Sequence, residues 1–205
     1  MKTIKLYLTK ILVIIFIFII PSGCEEYLDE EFKSGLSPSS FYNSDSEAVI
    51  AVNGAYTLLT SAGSFRHRDR KAWWQITADE ISSTRDIFKE AHNITWAEGV
   101  MDGERYWASL YETVRNTSDA IKNINGNENL SQNTIDQSLG QLYVIRALAY
   151  YDLTVVWGDV PFFTEILSPA ELSSLERTPV KTIRDAMVKD LQTAYGLLPD
   201  SWSGA

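Results

Sequence analysis

The chain is short of the residues that most chemistry needs. Its single cysteine, Cys24, excludes an internal disulfide framework and any cysteine-based zinc site. Two histidines, His67 and His92, leave little imidazole for acid–base work, and His92 has no second ligand at metal spacing. Positive charge is scarce, with 18 Lys+Arg against 27 Asp+Glu and a net charge of −9. Neutralising phosphates requires clustered Lys and Arg, so this balance argues against a nucleic-acid partner. Neither a Gly-x-Ser-x-Gly elbow nor a phosphate-cradling glycine loop occurs. Adjacent carboxylates such as Asp79 and Glu80 rarely converge on one bond, whereas glycoside hydrolysis sets two carboxyls ~5–9 Å apart across a sugar. An enzyme, a cofactor and a metal are therefore not expected. Two-residue alternation of apolar and polar positions is rare over any useful length, which disfavours a sheet. What the chain does have is aromatic residues, with 6 Trp, 10 Tyr and 8 Phe, and an apolar share of 45%. That composition serves a large core or a contact surface for flat ligands.

The first 23 residues read as an address. Lys2, Lys5 and Lys10 precede the run Ile11 to Ile20, and Pro21-Ser22-Gly23 lead to Cys24. A basic start, a short apolar stretch and small residues describe a secretory signal. The stretch is shorter than the ~20 residues that cross a bilayer. Cys24 in this setting resembles the lipobox of bacterial lipoproteins, in which the cysteine is lipidated and becomes the mature N-terminus. Pro21 departs from the aliphatic residue usual there, and the alternative is an ordinary signal peptide with an incidental cysteine. Acyl chains contribute ~0.8 kcal/mol per buried CH2, so several of them hold a soluble domain on a membrane. Residues 24–43 read as a tether and lead-in, acidic at Glu25, Glu26, Asp29, Glu30 and Glu31. Such residues resemble a signal for outer-face display in some Gram-negative lipoproteins, and a plain polar tether fits equally.

From residue 44 the pattern is helical. Ala48, Val52, Ala55, Tyr56 and Leu59 fall at helix spacing over Asp45–Leu59, with Ser44 or Asp45 as the cap. A second helix is expected over Gly103–Ile124, with Trp107, Leu110, Tyr111, Val114, Ser118 and Ile121 on one stripe. The third starts near Ser131 or Asn133 and carries Ile135, Leu139, Leu142, Arg146, Ala149, Tyr150, Leu153 and Val156. It stops at Trp157-Gly158-Asp159-Val160-Pro161, where glycine and proline punctuate. The fourth opens at Thr178-Pro179, a cap with proline in the first helical position, and runs through Val180, Ile183, Met187, Leu191, Ala194 and Leu198. Residues 64–102 are a long loop with a short helix near Lys71–Ala78. Loops of that length inside a domain tend to be functional or disordered. Helices of this length joined in pairs imply an all-α fold of tetratricopeptide-like stacked pairs, with the long loop between the first and second main helices.

The stretch Gln141 to Pro161 carries an Arg146-Ala147 pair, an aromatic pair Tyr150-Tyr151, Leu153, and then Gly158-Asp159-Val160-Pro161. It resembles the hallmark of the SusD/RagB family of outer-membrane nutrient-binding lipoproteins. Other pieces follow the family's order: Tyr27-Leu28-Asp29 after Cys24, Phe41-Tyr42 before Gly54-Ala55-Tyr56, Asp79-Glu80, Trp107 to Tyr111 before Arg115-Asn116, and Arg177-Thr178-Pro179-Val180 before Asp190-Leu191 and Leu197-Leu198-Pro199. Gln141 departs from the acidic residue common there. Family members are longer, so residues 44–205 read as the N-terminal helical portion of that architecture. A helical array cut at such a point exposes an apolar face.

The resemblance implies a cell-surface protein, anchored to the outer membrane, that binds glycans of the starch type and delivers them to a SusC-like TonB-dependent transporter. The alternatives are a module that only docks the transporter and a truncated fragment without function. Sugar rings stack their C–H faces on Trp and Tyr while Asp, Asn and Arg take the hydroxyls. In the long loop Trp96 is the first choice of platform, with Asn93, Asp79 and Arg85 as polar companions, and burial under the loop is the competing reading for Trp96. Arg146, Gly158, Asp159 and Pro161 read as structural. Arg146 sits on an apolar stripe, and a buried arginine must be paired. Asp152, Asp159 and Glu112 are the candidate partners.

Overall fold

A computed structural model describes residues 41–60, 75, 78, 92–93 and 103–202. The chain divides into two compact units, Met1–Phe41 and Tyr42–Ala205, and every element below belongs to the second. The leader, Cys24, the acidic tether, most of the short helix expected near Lys71–Ala78 and most of the long loop lie outside the described residues.

Helix α1 spans Asp45–Thr60, α2 Gly103–Ile124 and α3 Gln132–Trp157. A two-residue strand β1, Val160–Pro161, pairs antiparallel with β2, Arg177–Thr178, in the register Val160–Thr178 and Pro161–Arg177. Between them lies the single-turn helix α4, Pro169–Ser173, closed at its start by a Ser168/Glu171 capping box. Helix α5, Val180–Leu197, follows β2. The fold is all-α, with helices stacked in pairs in the tetratricopeptide manner: α1 packs on α2 and α3, α2 on α3, and α3 on α5.

The helices form where the periodic apolar residues fall. In α1 the buried face is Ala48, Val52 and Ala55. Tyr56, placed on that stripe by spacing, is exposed instead, because three small side chains already make the contact. In α2, Tyr106, Leu110 and Val114 are fully buried, and so are Thr113 and Thr117. Those hydroxyls donate to the carbonyls of Ser109 and Thr113 one turn back, so burying them leaves no donor unsatisfied. The turn after α2 passes through Gly126, whose φ of +70° suits glycine. The following turn is tied to the start of α1. The Asn127 side-chain amide donates to the Tyr42 carbonyl at 2.9 Å, and the Asp45 carboxylate accepts from the Ser131 amide and hydroxyl at 2.8 and 2.7 Å. Those hydrogen bonds hold the Asp45 carboxyl below the usual carboxylate range. Asp45 therefore bonds another helix's cap rather than capping its own helix. Ser131 then caps α3, accepting from the Thr134 amide.

Helices α3 and α5 run antiparallel. The start of α3 meets the end of α5, where a side chain at Gly140 would stand 2.6 Å from Leu198. At the other end, residue 159 bonds the first turn of α5. The core lies between α2, α3, β1 and α5, around Tyr106, Leu110, Tyr150, Leu153, Val160 and Ile183.

Candidate functional site

The hallmark stretch of α3 holds Arg146 and Asp152, the buried charged residues among those described. Arg146 is buried on the inner stripe of α3. Its guanidinium makes a bidentate pair with Asp190 of α5, Nε to Oδ2 at 2.8 Å and Nη2 to Oδ1 at 3.0 Å. Its remaining nitrogen donates to the Ser118 hydroxyl on α2 and to the Thr164 carbonyl after β1, both at 3.3 Å. The cation also lies 5.3 Å from the centre of the Tyr143 ring. One planar group thus links α2, α3, the post-β1 segment and α5, using the fork of donors that only arginine has. Asp190, not Asp152, Asp159 or Glu112, is the partner. The reason is geometric: Ile183, Met187, Asp190 and Ala194 share the inner face of α5, whereas Leu191 points outward.

The other two aspartates are engaged elsewhere. Asp152 is fully buried and accepts a hydrogen bond from the Tyr106 hydroxyl. Asp159 accepts from the Val180 amide at 2.9 Å and so closes the start of α5 from across the ribbon. Proline cannot supply a side-chain cap, and Pro179 rather than Thr178 holds the cap position, with Thr178 in β2. Gly158 ends α3 at φ +73° and ψ −125°, a conformation that needs glycine, while its amide donates to the Thr154 carbonyl. Pro161 lies in β1, and its carbonyl accepts from the Tyr111 hydroxyl at 2.6 Å. Arg146, Asp159 and Pro161 thus each have hydrogen-bond partners in other elements, and Gly158 has a left-handed backbone.

Around this corner stands an aromatic wall. Trp107 meets Trp157 edge-on at 5.2 Å and Tyr111 at 4.8 Å, and Tyr111 stacks on Phe163 at 5.9 Å. Tyr150 donates to the Phe163 carbonyl at 2.7 Å and accepts from the Phe163 amide at 2.9 Å. Desolvation by burial pushes the hydroxyls of Tyr111 and Tyr150 well above the ordinary phenol range. The hydroxyls of Tyr111 and Tyr150 are thus both bonded within the fold.

Of the residues expected to meet a sugar, Asn93 lies exposed in a turn. Trp96, Asp79, Arg85 and the lipidation candidate Cys24 lie outside the described residues. Sequence reasoning missed Asp190 as the partner of Arg146, because it placed Leu191 on the inner stripe of α5, where the structure buries Ile183, Met187 and Ala194 and leaves Leu191 exposed. It also read Trp157 only as part of the stop of α3, whereas its ring packs on Trp107 of the expected α2 stripe. Among the described residues no cluster of His, Cys, Asp and Glu fits a metal, and no helix is long and apolar enough to cross a membrane.

A SusD-like family model, described as starch-binding and associating with the outer membrane, matches residues 26–204. The chain belongs to this family. SusD-like protein P25 of Formosa agariphila is 30% identical over 193 residues, covering 89% of this chain and 37% of that protein. Solved structures share the fold at lower identity. A laminarin-binding SusD-like protein superposes with a TM-score of 0.67 at 22% identity, over 78% of this chain and 35% of that one. A SusD superfamily protein from Bacteroides vulgatus gives 0.69 at 16%, over 80% and 36%. The chain spans little more than a third of the length of the curated relatives it matches.

Proposed function

We propose that this protein captures nutrient glycans at the cell surface and passes them to a SusC-like TonB-dependent transporter, held to the outer membrane by lipid on Cys24. The observation that carries this reading is the family match over residues 26–204, whose description joins starch binding with the outer membrane. The laminarin binder among the fold neighbours points to the same substrate class. Capture needs no bond broken. Trp96 offers a flat face to a sugar ring, and Asn93, Asp79 and Arg85 take its hydroxyls. Weak single-ring contacts add along a polysaccharide, since each further contact is made at high effective concentration.

Titration calorimetry with laminarin and starch oligosaccharides tests the capture step. Binding is expected, and Trp96→Ala is expected to weaken it about tenfold, the loss of one stacking contact. Absence of heat with every glycan in a broad panel overturns the reading. Labelled palmitate should mark the wild type and not Cys24→Ala.

A second reading, a module that docks the transporter without a ligand of its own, is favoured by one feature. The hallmark residues Arg146, Asp159 and Pro161 all bond other parts of the helical scaffold. Recovery of a barrel protein on the immobilised chain, with no glycan retained, would select it.

A further inference from the structure

The stretch Asn123 to Asn129, at the end of α2 and in the turn after it, holds four asparagines. Three have their side chains engaged. The Asn123 side-chain amide donates to the Asp119 carbonyl at 2.8 Å, and that of Asn127 to the Tyr42 and Asn123 carbonyls at 2.9 and 3.1 Å. The Asn129 side chain reaches that of Asn43 at 3.4 Å. Asn125 is exposed, and its side chain has no hydrogen-bond partner among the described residues. Of the four it alone precedes a glycine. The backbone amides of Asn125 and Asn127 bond the Ile121 and Ile124 carbonyls, but the Gly126 amide between them has no partner among the described residues. Gly126 is exposed and carries no Cβ to shield its nitrogen. A second Asn-Gly pair, Asn53-Gly54, is exposed too, but it lies in the middle of α1, where the Gly54 amide belongs to the helix ladder.

An unbonded backbone nitrogen beside a free asparagine side chain sets a nucleophile next to an electrophile. We propose that Asn125 is a site of spontaneous deamidation, a reaction that the fold leaves open there and closes at Asn53. The Gly126 nitrogen gives its proton to hydroxide and attacks the side-chain carbonyl carbon of Asn125. The bond from that carbon to the amide nitrogen breaks, and ammonia leaves with a proton from water. Water then opens the cyclic succinimide at either carbonyl, giving aspartate or, with the main chain rerouted through the side chain, isoaspartate. In sum one water is consumed and one ammonia released, and nothing is oxidised or reduced. Asn125 lines an open cleft of about 340 Å³, so water reaches the ring. Either product adds a negative charge to the chain's −9. Isoaspartate also lengthens the backbone between Ile124 and Asn127, the two ends of the turn's 3.2 Å hydrogen bond. That turn presents the Asn127 side chain to the Tyr42 carbonyl, so the modification loosens the tie to the start of α1.

The test ages the full 205-residue chain in mildly alkaline buffer, once folded and once in guanidinium chloride, and follows each asparagine by peptide mass spectrometry. In the folded chain the Asn125 peptide should convert at least about tenfold faster than the Asn53 peptide, because an amide inside a helix must first be opened. In denaturant the two should convert at similar rates. In water enriched in heavy oxygen each converted peptide should gain one solvent oxygen and separate into aspartate and isoaspartate forms. Asn125→Gln should stop conversion at that position, since the longer side chain closes a less favourable ring, and should leave Asn53 unchanged. Isolated isoaspartate chains should exchange the amides of the first turn of α1 several-fold faster than fresh chains. Equal conversion of Asn53 and Asn125 in the folded chain overturns the proposal, as does protection of Asn125 by folding as strong as that of Asn53. Unchanged exchange at the start of α1 overturns the loosening of the Tyr42 tie.

Discussion

Removing either member of the Arg146–Asp190 pair leaves the other charge buried, with side-chain exposures of only 5% and 14%. Arg146→Leu and Asp190→Leu are each expected to cost roughly 3–5 kcal/mol, because the stranded ion keeps its desolvation penalty without its partner. The double substitution should recover much of that loss, since no charge then remains inside. Urea denaturation of the four proteins gives the cycle, and simple additivity of the two losses would contradict the pairing. Arg146→Lys should restore little, because an ammonium cannot make the bidentate contact and still reach Ser118 and Thr164. That Arg146 needed a partner was legible from its place on an apolar stripe. The partner's identity was not, because the choice between Asp190 and Leu191 as the inward residue depends on how α5 is rotated against α3. Spacing alone fixes that rotation only to about one residue.

At the scale of elements, α5 depends on a carboxylate from outside itself. Asp159→Ala should cost about 1 kcal/mol, the usual value of a helix cap, and should speed amide exchange at Val180 and Lys181 more than at the far end of α5. Unchanged exchange in the first turn would show that the bond to Val180 is dispensable. The extents of α2 and α3 were readable from period and punctuation, since Ser131, Gly126 and Gly158 act through local backbone chemistry. The start of α5 was misjudged for the opposite reason. Thr178 has the chemistry of a cap, yet the ribbon with Val160 places it in a strand, and a residue 21 positions before Val180 takes over. The buried hydroxyls of Thr113 and Thr117 were likewise unreadable as core, because a polar residue satisfied by its own helix looks like a surface residue in sequence.

For the molecule as a whole, stability should decline in alkali. The hydroxyls of Tyr111 and Tyr150 are pushed far above 10.0, and that of Tyr42 to about 12, chiefly by desolvation. Above pH 10.0 the unfolded chain releases tyrosine protons that the folded chain keeps, so the unfolded state is favoured as pH rises. The contribution is complete below 10.0 and is lost as pH climbs through the folded-state values. Urea midpoints that stay level above pH 10.0 would contradict the burial of these groups. The stacked-helix class was legible because periodicity is a property of each helix alone. Of the candidate sugar contacts only Asn93 falls among the described residues, in an exposed turn. The loop that carries the other candidates has no period to read, so its residues were picked out by chemistry alone.

The Arg146 clamp also imposes an order on synthesis. Helices α2 and α3 emerge from the ribosome as neighbours and can begin to pair at once, but the carboxylate that neutralises Arg146 is made 44 residues later. Until then the guanidinium must stay hydrated, and the α2–α3 hairpin must stay open enough to admit water. A nascent chain stalled before Asp190 clears the exit tunnel should therefore be readily cut by protease within the hairpin, and one stalled well beyond it should resist.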